Sequence, residues 1–326
     1  MEFETSSNDL QTPEVIVRNV SDSALNDNPF RSNPAAPVVT GGVGGSGTRL
    51  VAKIFAQAGI FLGSDLNVEH DNLWFTLLFR RPQWFRKVTN GSEERIFTGL
   101  RLLTKTMLGG GALKAEEFSL LASAIADASL NFRAANKSTR GLWPFIRARN
   151  MMRAAKTPLP ESYRGWGWKE PNSHIYLPYL FKQFPAVKYI HVIRHGLDLA
   201  FSRNQVQLYN WSYLFGMDLP RSRMEVPAKS LKYWVHANQR ALDLARQVGP
   251  DRFLMVNFDQ LCHSPSSEIE RLLTFVGAKI SAEEFSSLCA LPEKQTSSGR
   301  YLQNDCSSFD AADVAAVRQF GFEVQL

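Results

Sequence analysis

The chain has 326 residues, of which 44% are hydrophobic and 21% are charged, and its 37 Lys and Arg against 31 Asp and Glu give a net charge of +6. This composition is typical of a globular protein and excludes a disordered chain, a fibre and a disulfide scaffold. The length allows a large buried core in one or two domains, and the mild positive charge suits an anionic ligand without requiring nucleic acid.

The first predicted elements are a tail and a strand–loop–helix unit. Residues 1–34 are rich in Ser, Asn and Asp with few periodic apolar positions, so we predict a mobile tail before a domain at residues 35–326. An apolar run at residues 36–40 predicts a buried strand, and a glycine-rich stretch follows it. Apolar residues at helical spacing then predict a helix over residues 48–58.

The rest of the domain predicts an interrupted α/β pattern. Residues 72–164 have helical periodicity and no clear strand, so we predict a helical insertion that could serve as a substrate cap. Further strands are predicted at residues 167–169, 187–193 and 252–257, and helices at 173–184, 198–208 and 228–248 and after Ser264, Ser281 and Asp310. Strands separated by helices predict an α/β fold with a central parallel sheet and helices on both faces.

The cysteines and the N-terminus carry few signals. Cys262, Cys289 and Cys306 are widely spaced, which indicates free thiols in a reducing compartment and no zinc site. The first residues lack a positive region followed by an apolar one, and no apolar run approaches about 18 residues. We therefore predict a cytoplasmic protein without a membrane span, and we recognise no nucleic-acid-binding module.

The glycine loop is the first candidate ligand site. A glycine loop between a strand and a helix offers backbone N–H groups at the positive end of the helix dipole, where phosphate binds. Thr48 and Arg49 follow Gly47, so the lysine that nucleoside-triphosphate hydrolases and kinases need is absent, and a P-loop kinase is disfavoured. The alternative is a glycine turn that only lets the helix and strand pack closely.

A second candidate site follows the strand at residues 187–193. Arg194 lies at the carboxyl end of this strand, where open α/β sheets bind ligands. Asp198 is placed to cap the next helix, and Ser202 follows one turn later on it. An arginine fork and a hydroxyl at a helix N-terminus suit a phosphate monoester, whereas the alternative is an arginine paired with a neighbouring carboxylate.

These motifs, in this order, resemble those of sulfotransferases that use 3′-phosphoadenosine-5′-phosphosulfate (PAPS). Ser46-Gly47-Thr48 resembles the loop that binds the 5′-phosphosulfate in that family. Arg194 with Ser202 resembles its 3′-phosphate motif, and Ser298-Gly299-Arg300-Tyr301 resembles a late loop on the 3′-phosphate side.

Two further stretches extend the resemblance. Trp168-Lys169-Glu170-Pro171 is similar to a Lys-Asp-Pro stretch of many members, and residues 256–261 are similar to a Tyr-Glu-Asp-Leu segment. The resemblance covers about residues 38–301 and implies a P-loop-like three-layer fold.

The resemblance implies PAPS as co-substrate, adenosine 3′,5′-bisphosphate (PAP) as product, and transfer of sulfonate to a hydroxyl or amine. No metal is expected, because Lys, Arg and helix N-terminal amides can supply the positive field. The acceptor (a carbohydrate, a lipid, a peptide tyrosine or a small alcohol) and the oligomeric state stay open. The implied donor-binding residues are Gly44, Gly45, Ser46, Gly47, Thr48 and Arg49 for the 5′ end, and Arg194, Ser202, Gly299 and Arg300 for the 3′ end.

The sequence departs from the family at one position. The family usually places Lys or Arg immediately before Ser-Gly-Thr, where it assists the leaving phosphate, and this chain has Gly45 there. Either another cation substitutes, with Arg49 and Lys169 as the candidates, or the protein is a non-catalytic relative that only binds the nucleotide. Lys53, one turn beyond Arg49, is expected to be solvated.

The proton acceptor is expected in the polar segment of residues 63–72, since related enzymes with a carboxylate base carry it after the first helix. Asp71 is favoured, followed by Glu69 or His70, with His174 as a further candidate. The alternatives are a helix cap at Asp65 or Asn67, a solvated first helical turn, and a structural histidine.

Cationic and aromatic residues in the helical insertion are candidates for an acceptor site. Arg80-Arg81, Trp84-Phe85, Arg147 and Arg149 could line a site for a sugar or acidic glycan. A solvated face with core aromatics is the competing interpretation.

Overall fold

The computed structural model describes Asn33 and residues 36–131, 141–292 and 298–325. Except for Asn33, the predicted tail lies outside the described residues. No helix in the described ranges is both long and apolar enough to cross a membrane.

Within these ranges the strands form one parallel sheet in the order β2-β3-β1-β4-β5. The strands are β1 Val38–Gly42, β2 Ile60–Phe61, β3 Gly165–Lys169, β4 Lys188–Ile193 and β5 Phe253–Asn257. The predicted parallel α/β fold is confirmed. Because β3 and β4 flank β1 on opposite sides, their carboxyl ends surround the glycine loop that follows β1, where open α/β sheets bind ligands.

The helices surround this sheet and also form the segment between β2 and β3. They are α1 Thr48–Gln57, α2 Leu73–Phe79, α3 Pro82–Thr89, α4 Glu94–Leu108, α5 Ala115–Asn131, α6 Trp143–Ala154, α7 Leu177–Gln183, α8 Gly196–Ala200, α9 Val206–Trp211, α10 Val226–Val248, α11 Phe258–His263, α12 Pro265–Val276, α13 Ala282–Cys289 and α14 Ala311–Gln319. Short 3₁₀ helices occur at Pro171–Tyr176, Ser212–Phe215, Arg223–Glu225 and Arg300–Gln303.

The sheet separates two hydrophobic cores, because alternate strand residues point to opposite faces. Val38 belongs to a core formed with α1, α11, α12 and α13. The next residue, Val39, belongs to a larger core formed with α7, α8, α10 and helices α2–α6. The helices of residues 72–164 thus share a core with the sheet.

Several predicted boundaries were wrong. The helix predicted at residues 198–208 is two helices, α8 and α9, because the chain leaves the helix after Ala200 and the Gln205 side chain donates to the carbonyls of Leu199, Ala200 and Ser202. The first turns of the helix predicted at 173–184 are a 3₁₀ helix. The edge strand β2 was not predicted, because two residues are too short for a periodic pattern.

Strand β3 depends on a close backbone contact at Gly167. Gly167 is paired with Val38, and a Cβ atom on Gly167 would lie 1.7 Å from the Val38 carbonyl oxygen. The flanking Trp166 and Trp168 are fully buried against Phe184. The pairing of β1 with β3, and with it the position of Lys169, therefore requires glycine here.

We predict that Gly167→Ala lowers the free energy of unfolding by about 3 kcal/mol or more, because the overlap is with main-chain atoms that cannot rotate away. The control is Gly141→Ala, since an added Cβ meets nothing within 4 Å there. Chemical denaturation of both variants checks this, and equal stabilities for the two variants would contradict it.

Candidate functional site

The glycine loop turns tightly from β1 into α1. Gly47 has φ +91°, and a Cβ atom on it would lie 2.0 Å from Cδ2 of Phe258. The buried Ser46 hydroxyl donates to the Val43 carbonyl at 2.6 Å. Within the described ranges, the N–H groups of Gly45 and Gly47 have no acceptor, and the first N–H groups of a helix lack intrahelical partners. The loop therefore presents free donors at the N-terminus of α1.

Gln207 of α9, which the sequence did not single out, holds the loop from the other side. Its Oε1 accepts from the Gly44 N–H at 3.1 Å, and its Nε2 donates to the Gly42 carbonyl at 3.3 Å. His174 Nε2 lies 3.2 Å from the same Oε1. His174 is fully buried, and burial lowers its pKa well below the usual value, so the ring is neutral. This places His174 behind the loop, in contact with Gln207.

Phe258, at the start of α11, joins the glycine loop to the end of β4. Its ring covers Gly47, and the Arg194 guanidinium carbon lies 5.1 Å from the ring centroid. A Cβ atom on Gly45 would lie 3.8 Å from the Ser202 hydroxyl oxygen. The structure thus brings the two predicted phosphate motifs together. Ser202 follows α8 rather than lying on it, and its hydroxyl accepts from the Asn204 N–H at 3.2 Å.

The prediction that Asp198 caps its own helix was wrong, because His195 occupies the N-cap position of α8. Its carboxylate instead accepts from the main-chain N–H groups of Gly299 at 2.9 Å and Tyr301 at 3.1 Å. The Arg300 Nη1 lies 3.5 Å from the Asp198 and Phe201 carbonyl oxygens. Asp198 therefore holds Gly299 and Arg300 beside α8.

The second corner of the site is built on Lys169, the last residue of β3. Its side chain is almost fully buried, and its ammonium group contacts Asp71 Oδ1 at 2.5 Å and the Glu69 carbonyl at 2.8 Å. Asn67 Nδ2 donates to Asp71 Oδ2 at 2.9 Å. The two leading catalytic candidates, Asp71 and Lys169, are thus an ion pair.

The other catalytic candidates lie around this pair. The Glu69 carboxylate forms an ion pair with Arg49 of α1, so both substitute cations lie at one loop. His70 has φ +59°, and its pKa is lowered by partial burial and by Lys169 and Lys53. Its imidazole is therefore neutral at pH 7.

Asn72, and not Asp65 or Asn67, caps α2. Its N–H donates to the Lys169 carbonyl at 2.8 Å, and its side-chain Oδ1 accepts from the Phe75 N–H at 2.9 Å. Asp65 instead pairs with Arg147. Asn72 thus fixes the start of α2 to the end of β3, a role visible only once the two segments are adjacent.

Glu170 is a buried carboxyl group that the sequence did not predict as functional. It accepts from the Asn172 N–H at 2.6 Å and from Asn172 Nδ2 at 2.8 Å. Burial, and secondarily the charge of Asp71, raise its pKa to about 7. A buried carboxyl group that titrates near neutrality therefore lies close to Asp71.

The cationic and aromatic candidates separate into two groups. Arg80, Arg81 and Trp84 line a cavity of about 640 Å³ beside α2. Phe85 is a core residue whose ring lies 4.9 Å from that of Tyr176. Arg147, paired with Asp65, does not line this cavity, and neither does Arg149.

Comparison with known proteins connects this geometry to a family. A model described as "Sulfotransferase family" matches residues 37–282. No curated protein matches the chain. Similar solved structures include sulfotransferase STF9 from Mycobacterium avium (13% identity, 94% of this chain, 80% of that chain, TM-score 0.45) and the sulfotransferase domain from the curacin biosynthetic pathway (13%, 89%, 99%, 0.46). Another is retinol dehydratase in complex with androsterone and inactive cofactor PAP (12%, 90%, 72%, 0.34).

Glu170 generates a prediction about pH and stability. Between about pH 4.5 and 7 the native state keeps a proton on Glu170 that the unfolded chain has released, so this group costs stability as pH rises through that window. We expect Glu170→Gln to remove a loss on the order of 2 kcal/mol between pH 4.5 and 8. Urea unfolding at both pH values measures it.

The control is the exposed Glu270→Gln, which should keep the wild-type difference between the two pH values. An unchanged pH dependence in Glu170→Gln would show that this carboxyl group is not protonated in the native state.

Proposed function

Because the chain belongs to the sulfotransferase family, we propose that it transfers a sulfonate group from PAPS to a hydroxyl or amine of a small-molecule or carbohydrate acceptor. The observation that carries the proposal is the convergence, at one edge of the sheet, of the glycine loop, Arg194 and the late loop around Phe258 and Asp198. PAPS would supply the activated sulfonate, whose bond to the departing phosphate breaks as a bond to the acceptor forms.

The glycine loop fits the 5′-phosphosulfate. The free N–H groups of Gly45 and Gly47 and the N-terminus of α1 form an anion-binding cradle in which Gly44, Ser46 and Thr48 complete the loop. The Gly44 N–H already donates to Gln207, so it fixes the conformation of the loop and is not available to the donor.

The 3′-phosphate would be held by Arg194, Ser202, Gly299 and Arg300. Arg194 is mostly buried, and a buried guanidinium forms strong, directional hydrogen bonds to phosphate oxygens. The support for the last two residues is the pair of hydrogen bonds that Asp198 accepts from the late loop, which brings that loop to the end of α8.

Arg49 and Lys169 would provide the positive field that Gly45 lacks. Gly45 has φ +93°, and a Cβ atom there would lie 3.0 Å from Leu199 Cδ2, so a longer side chain would be strained. Arg49 is half-exposed beside Glu69 and Lys169 is buried beside Asp71, so both charges lie at the loop of residues 65–72 and come from two elements.

Asp71 would accept the acceptor proton. Its side chain is partly exposed, and each of its oxygens accepts one hydrogen bond, which leaves a lone pair on each. The Glu69 carboxylate is paired with Arg49, and the neutral His70 is the second choice. His174 is buried behind the loop, which supports a positioning role through Gln207.

Donor binding is tested by calorimetric titration with PAP. We expect Arg194→Ala to weaken PAP binding roughly 10- to 100-fold, because hydrogen bonds between charged groups are lost. Ser202→Ala, which removes one hydroxyl, should weaken it about 3- to 10-fold. The controls Arg246→Ala and Ser267→Ala remove exposed side chains of α10 and α12 that are not among the proposed donor-binding residues. If PAP does not bind, or binds both site variants like wild type, the proposed donor is wrong.

Catalysis is tested by transfer of labelled sulfonate from PAPS to acceptors in a small-molecule extract. We expect Asp71→Asn to lower the rate roughly 10²- to 10⁴-fold, because the proton acceptor is lost. The control is Glu270→Gln, which removes an exposed carboxylate of α12 and should keep the wild-type rate. An Asp71→Asn enzyme that transfers sulfonate at the wild-type rate would exclude Asp71 as the base.

The second candidate is a non-catalytic PAP-binding relative, which Gly45 favours. The two experiments separate it from an enzyme: wild-type protein that binds PAP tightly and transfers no labelled sulfonate to any acceptor in the extract would establish this alternative.

A further inference from the structure

The cavity of about 640 Å³ beside α2 has the size of a small-molecule site. It lies among α2, α3, α4, α5, α6 and α9, outside the residues placed around the donor. Among the residues that the structure describes, its charged lining residues are Arg80, Arg81, Lys87, Arg95 and Asp127. Four cations against one carboxylate make it electropositive, which favours an anionic occupant.

Arg81 is the central group of this cavity. Its side chain is only 5% exposed, and its Nε and Nη2 donate to Asp127 while Nη2 also donates to Ser123 at 2.8 Å. Asp127 therefore neutralises one side of the guanidinium. The remaining nitrogen, Nη1, is buried and has no acceptor among the residues that the structure describes.

A second unpaired donor lies next to it. The Trp84 indole N–H is also buried without an acceptor in the described part of the chain, and the Arg81 guanidinium carbon lies 4.7 Å from the Trp84 ring centroid. Buried donors without acceptors are unfavourable and uncommon. Two of them lining one electropositive cavity match a ligand with an anionic oxygen.

Helix α2 connects the cavity with the corner that holds Asp71. Thr76 and Leu77 of α2 line it, and α2 begins at Asn72, next to Asp71. The charge of Arg80 also acts on the carboxyl group of Glu170. Arg80 follows the last residue of α2, and at 1.5 Å rise per residue the main chain of Arg80 lies about 12 Å along the helix axis from that of Asn72.

We propose that this cavity binds the anionic end of the acceptor, which is therefore a hydroxy-bearing organic anion with a carboxylate or phosphate at the end remote from the reacting hydroxyl. The identification of the ligand as the acceptor rests on the proposed function. The existence of an anion-binding site in this cavity does not depend on that function. Arg81 and Trp84 would bind the anionic oxygens, and Lys87 would strengthen binding from the cavity rim.

The test uses 10-hydroxydecanoate, its methyl ester and decyl phosphate as probes, with fluorine NMR of protein labelled with 5-fluorotryptophan. The Trp84 resonance is assigned with Trp84→Phe. We expect the carboxylate or the phosphate to shift this resonance saturably, with affinity at least roughly 10-fold above that of the neutral ester. The two anions distinguish a carboxylate site from a phosphate site.

The variants probe the same binding. Arg81→Gln should abolish the preference for the anion, and Lys87→Gln, whose side chain is exposed and whose loss cannot unfold the protein, should weaken anion binding about 2- to 5-fold. Arg246→Gln is the charge-matched control on α10. Equal binding of acid and ester, or no Trp84 shift with either anion, overturns the proposal.

A parallel PAP titration separates the two proposals. Protein that binds PAP but shows no anion preference at Trp84 retains the proposed function and loses the acceptor inference. Protein that shows the anion preference but does not bind PAP loses the proposed function and retains the anion site.

Discussion

A buried ammonium group at the end of β3 constrains much of the site. Lys169 is 2% exposed, and a buried charge without a partner is strongly unfavourable, so the chain must bring it a carboxylate. Asp71 and the Glu69 carbonyl provide the partners of the ammonium group. The Asn72 N–H donates to the Lys169 main-chain carbonyl and so holds this segment against the end of β3. The same contacts fix the start of α2, and thereby one wall of the cavity.

The charge that would act on the donor comes from several elements rather than from the glycine loop. In the family that the chain resembles, a Lys or Arg normally precedes Ser-Gly-Thr. Here the left-handed backbone of Gly45 and its closeness to Leu199 oppose any long side chain. Arg49 from α1 and Lys169 from β3 converge on the loop at residues 65–72 instead. In the proposed donor site, Arg49, four residues after Gly45, and Lys169, distant in sequence, would supply the positive charge that Gly45 lacks.

Buried polar contacts connect the two halves of the proposed donor site. Asp198 holds the late loop through main-chain N–H groups of Gly299 and Tyr301, while Gln207 holds the glycine loop through Gly42 and Gly44. Asp198 and Gln207 both hydrogen-bond to main-chain groups of these loops. They therefore position the proposed binding residues, and neither is itself proposed to contact the ligand. These contacts have no local sequence signal, because the partners lie about 100 residues or more apart.

The parallel α/β architecture and the two candidate phosphate motifs were predictable from the sequence, because strand periodicity, glycine loops and strand-end residues are local signals. The pairing of Asp71 with Lys169, the burial of Glu170 beside them and the shared cavity of Arg81 and Trp84 became visible only in the folded chain. Those relations depend on burial and on contacts between residues far apart in the chain. Burial sets both the cost of an unpaired charge and the pKa of a carboxyl group, and no local pattern of residues reports it.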